Sequence, residues 1–271
     1  MNERVKNLIN NAVIKIIENT SSKDKIKSLE EKHCKKIHFI PRRYRVFGGL
    51  LQSMNIQFGN FVETLMELLI DSDGQYRIIK EYSGKKNNTF QLSTYNDTLI
   101  DTYISKCQVE EMNIEKEFSK LLQDIIKNKN GKCNTFKHDI DLLFENIETG
   151  KIYYLECKYN DDHDTGKFVD INRKFIKTYA YLVKEFNIEE HSIEKLTPIL
   201  FFFTNKKMKG NIYIPEKTNI KRGKKFFDEF LTVTYEDVDN YLSNLSEDND
   251  TICAFNNLYN KIVNTNSIKI N

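Results

Sequence analysis

Residues 138–158 read HDIDLLFENIETGKIYYLECK, and the alternation in this stretch is the strongest indication of the fold. The pattern predicts a strand over residues 138–144, a tight turn over residues 148–151 and a returning strand over residues 152–158. Side chains two positions apart on a strand point to the same face. The two strands are therefore expected to form an antiparallel hairpin in the middle of the chain.

Apolar side chains at helical spacing predict helices on both sides of this hairpin. They cover residues 5–17, 47–70 and 110–127 before it, and residues 169–186, 224–231, 235–245 and 252–263 after it. Residues 71–100 carry clusters of Ser, Asp, Gly and Asn, which predict turns with short strands. The apolar run 199–203 predicts a strand buried on both faces and reached by a crossover, and residues 212–214 predict an edge strand.

These elements together predict an α/β (α+β) fold, in which helices flank a small mixed central β-sheet. An N-terminal helical region is added to this core. We expect residues 1–271 to form a single domain with three segments. These are a helical and basic extension over residues 1–45, a core over residues 46–205, and a basic segment with helices over residues 206–271.

The composition is that of an ordinary globular protein, with 39% hydrophobic residues, 30% charged residues and a net charge of +2. The 5 cysteines include no Cys-x-x-Cys pair, which argues against a zinc site or a disulfide framework. A reducing cytoplasm is the location that this favours. The sequence contains no long apolar stretch that would span a membrane, and no Gly-rich phosphate loop of a kinase.

Charged side chains of the hairpin are the candidate catalytic residues. Glu156 and Lys158 share one face of the returning strand, and Asp139 and Asp141 share one face of the first strand. If the hairpin pairs around Gly150, one of the two aspartates lies near Glu156. Two carboxylates and one ammonium would then meet on one side of the sheet.

This set of groups suits Mg²⁺, which prefers carboxylate and carbonyl oxygens and adds water and a substrate phosphate. Asp141 and Glu156 would hold the metal, and the backbone carbonyl of Cys157 is a further candidate ligand. Lys158 would lower the pKa of the attacking water or neutralise charge on the phosphate. The competing interpretation is that Glu156 and Lys158 are an ordinary surface pair, because Glu-x-Lys pairs are common on solvated sheet faces.

The same residues carry a resemblance to a known family. The run DLLF at residues 141–144, followed by YYLECK at residues 153–158, resembles the PD-(D/E)XK nucleases, with Ile140 in the proline position. Residues 156–167 resemble the E-x-K-x-N…D-T-x-K run of several type II restriction endonucleases. The upstream helix with Ser53, Gly59 and Glu63 is similar to a segment of the TdeIII and HinfI group.

This resemblance implies a restriction-endonuclease-like core and an activity. The enzyme would be a homodimer that cleaves double-stranded DNA at a short palindromic sequence with Mg²⁺. A cognate DNA methyltransferase would be encoded by a neighbouring gene, as in a restriction-modification system. Asp141 is the favoured metal ligand, because the aspartate of the family opens the apolar part of its strand. Asp139 stays open as the ligand or as an assisting residue.

Several other roles follow from the resemblance, each with a structural alternative. Glu63 would reach the metal-bound water or a second metal, or it is a surface residue of a helix. His138 would relay a proton or contact DNA, or it is a buried strand histidine with satisfied hydrogen bonds. Asn160, Asp164 and Lys167 would position the DNA backbone or the loop itself, or the Asp164-Thr165 pair caps the next helix.

Two basic segments are candidates for DNA contact. One is poor in acids, with Glu216 among its lysines, and is represented by Lys206, Lys207, Lys209, Lys221, Arg222 and Lys224. The other contains Arg42, Arg43 and Arg45, which suit guanine edges or phosphates. Two rival functions stay open: a DNA-repair or junction-resolving nuclease, and a catalytically silent DNA-binding module.

Overall fold

The computed structural model describes residues 3–86 and 88–265, with side chains described as far as residue 262. The chain forms two compact units. Residues up to Leu65, together with those from Val233 onward, form one unit, which we call the helical unit. Met66–Thr232 form the other, which we call the sheet unit. Residues 46–65 thus group with the helical unit and residues 206–232 with the sheet unit, which differs from the predicted segments. The prediction of one nuclease domain stays a prediction.

The α-helices and strands follow one another along the chain as a helical start, a mixed middle and a helical end. The helices and strands are α1 Glu3–Thr20, α2 Lys23–Cys34, α3 Arg42–Asp73, β1 Tyr76–Ile78, β2 Thr89–Ser93, α4 Thr94–Val109, α5 Ile114–Lys127, β3 Cys133–Lys137, β4 Leu142–Asn146, β5 Ile152–Lys158, α6 Thr165–Glu185, β6 Leu196–Phe202, β7 Ile220–Arg222, α7 Gly223–Phe230, α8 Tyr235–Ser246 and α9 Asn249–Thr265. A search of the described helices finds none with the length and apolar character needed to cross a membrane.

The sheet unit contains a five-stranded mixed sheet in the order β1-β4-β5-β6-β7. Strands β1, β4 and β5 pair antiparallel, whereas β5, β6 and β7 pair parallel. Helix α6 makes the crossover from β5 to β6, which confirms the predicted connection. Strands β2 and β3 form a separate antiparallel pair.

The predicted hairpin is present, and its returning strand has the predicted bounds. In the turn, Gly150 adopts a φ of +66°, a left-handed backbone conformation that glycine adopts without a steric cost. The Gly150 N–H donates to the carbonyl of Asn146 at 2.9 Å, and the Asn146 N–H donates to the carbonyl of Lys151 at 2.9 Å. These contacts fix the register, in which Leu142 lies opposite Leu155.

Three predicted elements were wrong in detail. Residues 71–100 contain the start of α4, which Ser93 caps, and not only turns and strands. The first hairpin strand begins at Leu142, because residues 138–140 bond to another loop: the carbonyl of Ile140 accepts the N–H of Gly84 at 2.8 Å. Residues 212–214 form no strand, since the N–H groups of Tyr213 and Ile214 donate to the side chain of Asn211. The edge strand next to β6 is β7.

Apolar side chains cover both faces of the sheet. On one face, buried residues of α4, α5 and α6 pack against side chains such as Leu143, Tyr154 and Leu200, each 0% exposed. On the other face, an aromatic cluster forms between the sheet and α7. Its members are Phe144, Tyr153, Phe201, Phe226 and Phe230. A sheet buried on both faces explains the continuous apolar run of β6.

The helical unit has its own core. Helices α2, α3 and α9 contribute buried side chains to it, among them Leu29, Val46, Leu50, Leu258 and Ile262. Ser22 caps α2 by accepting the N–H of Lys25. Helix α3 begins in this unit and ends in the sheet unit.

The packing of the central strand predicts a large stability loss in Leu200→Ala. Because Leu200 is 0% exposed, the variant leaves a cavity, and the free energy of unfolding should fall by about 3 kcal/mol or more. Urea unfolding followed by circular dichroism measures this change. Val109→Ala is the control, since Val109 is 81% exposed. Equal unfolding midpoints for the two variants would contradict the buried position of Leu200.

Candidate active site

The register of the hairpin brings Asp141 beside Glu156. Leu142 pairs with Leu155 in an antiparallel ladder, so Asp141, one residue before Leu142, lies opposite Glu156, one residue after Leu155. Asp141 stands just before β4, and its Oδ2 accepts the backbone N–H of Cys157 at 2.8 Å. This bond holds the carboxylate against β5 at the point where strand pairing has ended.

Three oxygen atoms converge on the ammonium of Lys158. Its Nζ lies 2.7 Å from Glu156 Oε1, 2.8 Å from the Cys157 carbonyl oxygen and 3.2 Å from Asp141 Oδ2. Two of these oxygens belong to carboxylates and one to the backbone. A positive charge at this point is therefore satisfied from three directions.

The donor set fits a hard divalent cation. Carboxylate and carbonyl oxygens are the ligands that Mg²⁺ takes in proteins, together with water and phosphate oxygens. Among the side chains that the structure describes, in residues 3–86 and 88–262, no group of three or more His, Cys, Asp and Glu is arranged to hold a metal. The two carboxylates would thus act with the Cys157 carbonyl, and the remaining positions would be left to water and substrate.

The charges of this cluster depend on one another. Glu156 is 4% exposed, and burial alone would raise its pKa. The Lys158 ammonium and then His138, with hydrogen bonds from Lys158 and Tyr154, outweigh burial and lower the pKa. Burial likewise opposes the charge of Lys158, but Glu156 and Asp141 raise its pKa. Both side chains are therefore charged at neutral pH.

A second layer of buried polar groups surrounds Glu156. The Tyr154 hydroxyl donates to Glu156 Oε2 at 3.0 Å, and His138 Nε2 lies 4.0 Å from Glu156 Oε1. His138 Nδ1 lies 3.1 Å from the hydroxyl of Thr178 on α6. Burial raises the pKa of Tyr154, so the phenol keeps its proton and stays a donor. Burial also lowers the pKa of His138, and Glu156 opposes this only in part.

Comparison with known proteins identifies the family. A family model described as "Type II restriction endonuclease, HinfI" matches residues 1–246. The chain belongs to the HinfI family of type II restriction endonucleases. The type II restriction enzyme HinfI of Haemophilus influenzae is 62% identical over 264 residues, which cover 97% of this chain and 99% of that protein. No solved structure matches the chain.

Membership of the HinfI family makes the chain a site-specific endonuclease that acts on double-stranded DNA. It confirms the resemblance found in the sequence and argues against both rival functions, the repair nuclease and the silent DNA-binding module. Type II restriction endonucleases generally use divalent metal ions, which agrees with the oxygen donors around Lys158.

In this HinfI-family chain, the two aspartates of the first strand have separate surroundings. Asp141 contacts Lys158 and Cys157, whereas Asp139 Oδ1 accepts the backbone N–H groups of Lys86 at 3.0 Å and Asn88 at 3.4 Å. Asp139 therefore holds the loop that also bonds to Ile140. The structure brings Asp141, and not Asp139, to Lys158.

The loop after β5 is held by local hydrogen bonds. Asp164 accepts the N–H of Lys167 at 2.9 Å and caps α6, which is the structural alternative given for it. Asn160 accepts the N–H of Asp162 at 3.1 Å. Lys167 is exposed on the first turn of α6. Roles of these residues in DNA binding stay predictions.

Asp161 is a buried residue of this loop that sequence reasoning missed. It is 0% exposed and accepts the backbone N–H groups of Met208 and Gly210 at 3.0 and 3.1 Å. Arg222 Nη2 lies 3.0 Å from its Oδ2. Asp161 thus ties the loop after β5 to residues 208–210 and to β7. No local pattern marks it, because its partners lie about fifty residues further along the chain.

The basic segment after β6 is more neutral in three dimensions than in sequence. Acidic side chains pair with five of its basic residues. Lys207 pairs with Glu216, Lys209 with Asp162, Lys221 with Glu229 and Lys224 with Asp228. Arg222 pairs with both Asp161 and Glu216. Lys221 is 8% exposed, and Arg222 also lies over the ring of Phe202. Lys206, Lys207, Lys209 and Lys224 are exposed and stay candidates for DNA contact.

The remaining candidates lie on α3 within the helical unit. Arg42 and Arg43 are exposed in its first turn, and Arg45 is half-buried. Glu63 is further along the same helix, and its assistance to catalysis stays a prediction.

The second layer around Glu156 predicts a metal-dependent defect in Tyr154→Phe. The variant keeps the ring that stacks on Phe175 at 5.2 Å but loses the hydrogen bond to Glu156. Partners of this kind orient metal ligands, and their loss costs about 10- to 100-fold in metal affinity or activity. We expect cleavage to need more divalent cation, and the melting temperature to fall modestly because the buried Glu156 Oε2 loses its donor.

The matched control is Tyr153→Phe, which removes a hydroxyl from the opposite face of the same strand. A titration of cleavage rate against cation concentration should separate the two variants. Overlapping curves for Tyr154→Phe and Tyr153→Phe would show that the Tyr154 hydroxyl has no part in orienting Glu156.

Proposed function

We propose that this chain hydrolyses phosphodiester bonds of double-stranded DNA at a short palindromic sequence, with Mg²⁺ bound by Asp141, Glu156 and the Cys157 carbonyl. The observation that carries the proposal is the convergence of these three oxygens within 3.2 Å of one point, the Nζ of Lys158. The relationship to the Haemophilus enzyme extends over almost all of both chains and supports it.

Different residues hold the metal ion and orient its ligands. When bound, Mg²⁺ supplies a positive charge that polarises the scissile phosphate, and it lowers the pKa of a coordinated water. Glu156 and Asp141 hold the ion, Tyr154 and His138 orient Glu156, and the Cys157 N–H orients Asp141. Since β5 is a central strand of the sheet, these groups stand on rigid backbone, which favours a preorganised site.

Lys158 acts in the reaction through the positive charge of its ammonium group. Its ammonium and a divalent cation repel each other and would share the same three oxygens, so Lys158 must change rotamer when the site is loaded. Glu156 and Asp141 raise the pKa of Lys158 while it contacts them, so its side chain is protonated when the cation displaces it toward the reacting phosphate. From there it donates to the water or to a phosphate oxygen, where negative charge develops.

A twofold homodimer is part of the proposal. Two copies related by a twofold axis match a palindromic site and cut both strands. Glu63 would assist the reaction, and the exposed lysines 206, 207, 209 and 224 with Arg42, Arg43 and Arg45 would contact the DNA. A cognate methyltransferase encoded nearby would protect the host DNA.

Loss of Lys158 should abolish most cleavage without preventing DNA binding. In Lys158→Ala, the cleavage rate should fall by about 10²- to 10³-fold or more, since a preorganised charge at the transition state is removed. Fragment formation from unmethylated phage DNA with Mg²⁺, with and without EDTA, measures this rate. End-sequencing of the wild-type fragments identifies the site.

Lys151→Gln is the control, since Lys151 precedes the same strand at the opposite end. Wild-type rates in Lys158→Ala, or discrete fragments in the presence of EDTA, would overturn the proposed chemistry. A smear in place of discrete fragments would contradict cleavage at one sequence.

The two aspartates should differ in metal binding. In the wild-type protein, Ca²⁺ or Mg²⁺ should raise the melting temperature, because a ligand that binds only the folded state stabilises it by mass action. Asp141→Asn should remove most of this shift, and Asp139→Asn should keep it. Differential scanning fluorimetry measures the shift independently of cleavage. A shift that is lost in Asp139→Asn and kept in Asp141→Asn would transfer the role of ligand to Asp139.

A further inference from the structure

A strongly basic pocket lies between α2 and α3 in the helical unit, with a volume of about 590 Å³. We call it the α2–α3 basic pocket. Six basic side chains line it: Lys25, Lys32, His33, Lys36, His38 and Arg45. Among the described residues that line it, none is acidic. It therefore differs from the basic segment after β6, where carboxylates accompany the lysines.

Arg45 contributes a charge that the pocket itself leaves uncompensated. Its Nη1 donates to the backbone carbonyl of Lys36 at 3.3 Å. In the part of the chain that the structure describes, the buried Arg45 Nε and the buried His33 Nδ1 have no hydrogen-bond partner. Buried polar atoms are normally paired, so the wall of this pocket contains polar groups that its own residues do not satisfy.

The electrostatics at His33 agree with this geometry. Burial is the first cause that lowers the pKa of His33, and Arg45, Lys36, Lys32 and His38 lower it further. The charged neighbours that the pKa of His33 responds to most are thus all basic. The field in the pocket is positive and favours an anion.

Two glycines of α3 keep the pocket open. A Cβ atom on Gly48 would meet nothing within 4 Å, so the helix presents bare backbone at this position. A Cβ atom on Gly49 would stand 3.0 Å from Leu29 Cδ2, so Gly49 permits the close approach of α2 and α3. A bulky anionic group can therefore reach the basic side chains without displacing others.

We propose that the α2–α3 basic pocket binds a backbone phosphate of the DNA duplex. The proposal rests on the function above, since duplex DNA is the polyanion on which a restriction endonuclease acts. Lysine is a compact point charge that suits phosphate, and Arg45 adds a guanidinium. Contacts to phosphate position a protein on DNA but do not read its sequence. The helical unit thus contributes affinity and register, and not base specificity.

The test adds one negative charge to the pocket. Gly48→Glu places a carboxylate at its surface and removes no existing contact, because the new side chain begins in open space. Gln57→Glu is the matched control: it adds the same charge to an exposed position of the same helix outside the pocket. Both are made in the Glu156→Gln background, so that binding is measured without cleavage.

Fluorescence anisotropy with two labelled duplexes measures the effect, one duplex with the cleavage sequence found by end-sequencing and one without it. Loss of one phosphate contact per subunit, and so of two per proposed homodimer, should weaken binding by about a hundredfold at 0.1 M salt and reduce the salt slope by about two. We expect both changes in Gly48→Glu, equally for the two duplexes, and neither in Gln57→Glu. Circular dichroism melting checks that the fold is kept.

A second pair of variants removes charge in place of adding it. Lys36→Gln lies in the pocket, and Lys27→Gln lies on α2 outside it. Only Lys36→Gln should lower the salt slope for both duplexes. Unchanged affinity and slope in Gly48→Glu and Lys36→Gln would overturn the phosphate site, and so would a loss confined to the duplex with the cleavage sequence.

The outcomes separate this inference from the proposed function. If the Glu156→Gln parent binds the duplex and the wild-type protein cleaves it, a negative result in the pocket variants leaves the catalytic proposal intact. If the parent binds neither duplex, the proposed function fails first, and the phosphate site fails with it.

Discussion

The hydrogen bond from the Cys157 N–H to the Asp141 carboxylate is the contact on which the arrangement of the site depends. Strand β4 begins only at Leu142, so the backbone ladder no longer fixes the position of Asp141. A side-chain acceptor takes over at this point and continues the pairing by one residue. Asp141, Glu156 and the Cys157 carbonyl are held together as a result, although Asp141 precedes β4 and the other two belong to β5.

The cost of burying charge explains why this region is so densely connected. Glu156 is almost fully buried, and a buried carboxylate is stable only when it is paired and hydrogen-bonded. Lys158, Tyr154 and, more distantly, His138 meet that need. The aromatic cluster on one face and α6 on the other hold β5 in place. A rigid sheet thus carries a cluster of charges that would be unstable on a mobile loop.

Basic residues illustrate how far charge can be judged from sequence. The lysines after β6 have few acidic neighbours along the chain. In the structure, α7 and the loop after β5 place carboxylates beside them. The segment from Lys25 to Arg45 contains acids in its sequence, and yet the pocket between α2 and α3 gathers only basic side chains among its described lining residues. Helical geometry separates the two kinds of side chain, and a count along the sequence cannot show this.

Local sequence patterns were sufficient to predict the hairpin, its returning strand, the buried strand β6, the crossover and the grouping of Glu156 with Lys158. These depend on alternation, turn residues and apolar runs, which are local properties of the chain. Tertiary structure alone decided which aspartate meets Lys158, because Asp139 and Asp141 have the same alternation and differ only in their distant partners. It also decided the position of Thr178 beside His138, the position of Asp161 against Arg222, and the replacement of the predicted strand at residues 212–214 by β7. Each of these depends on hydrogen bonds between segments far apart in the chain, and no local pattern encodes such bonds.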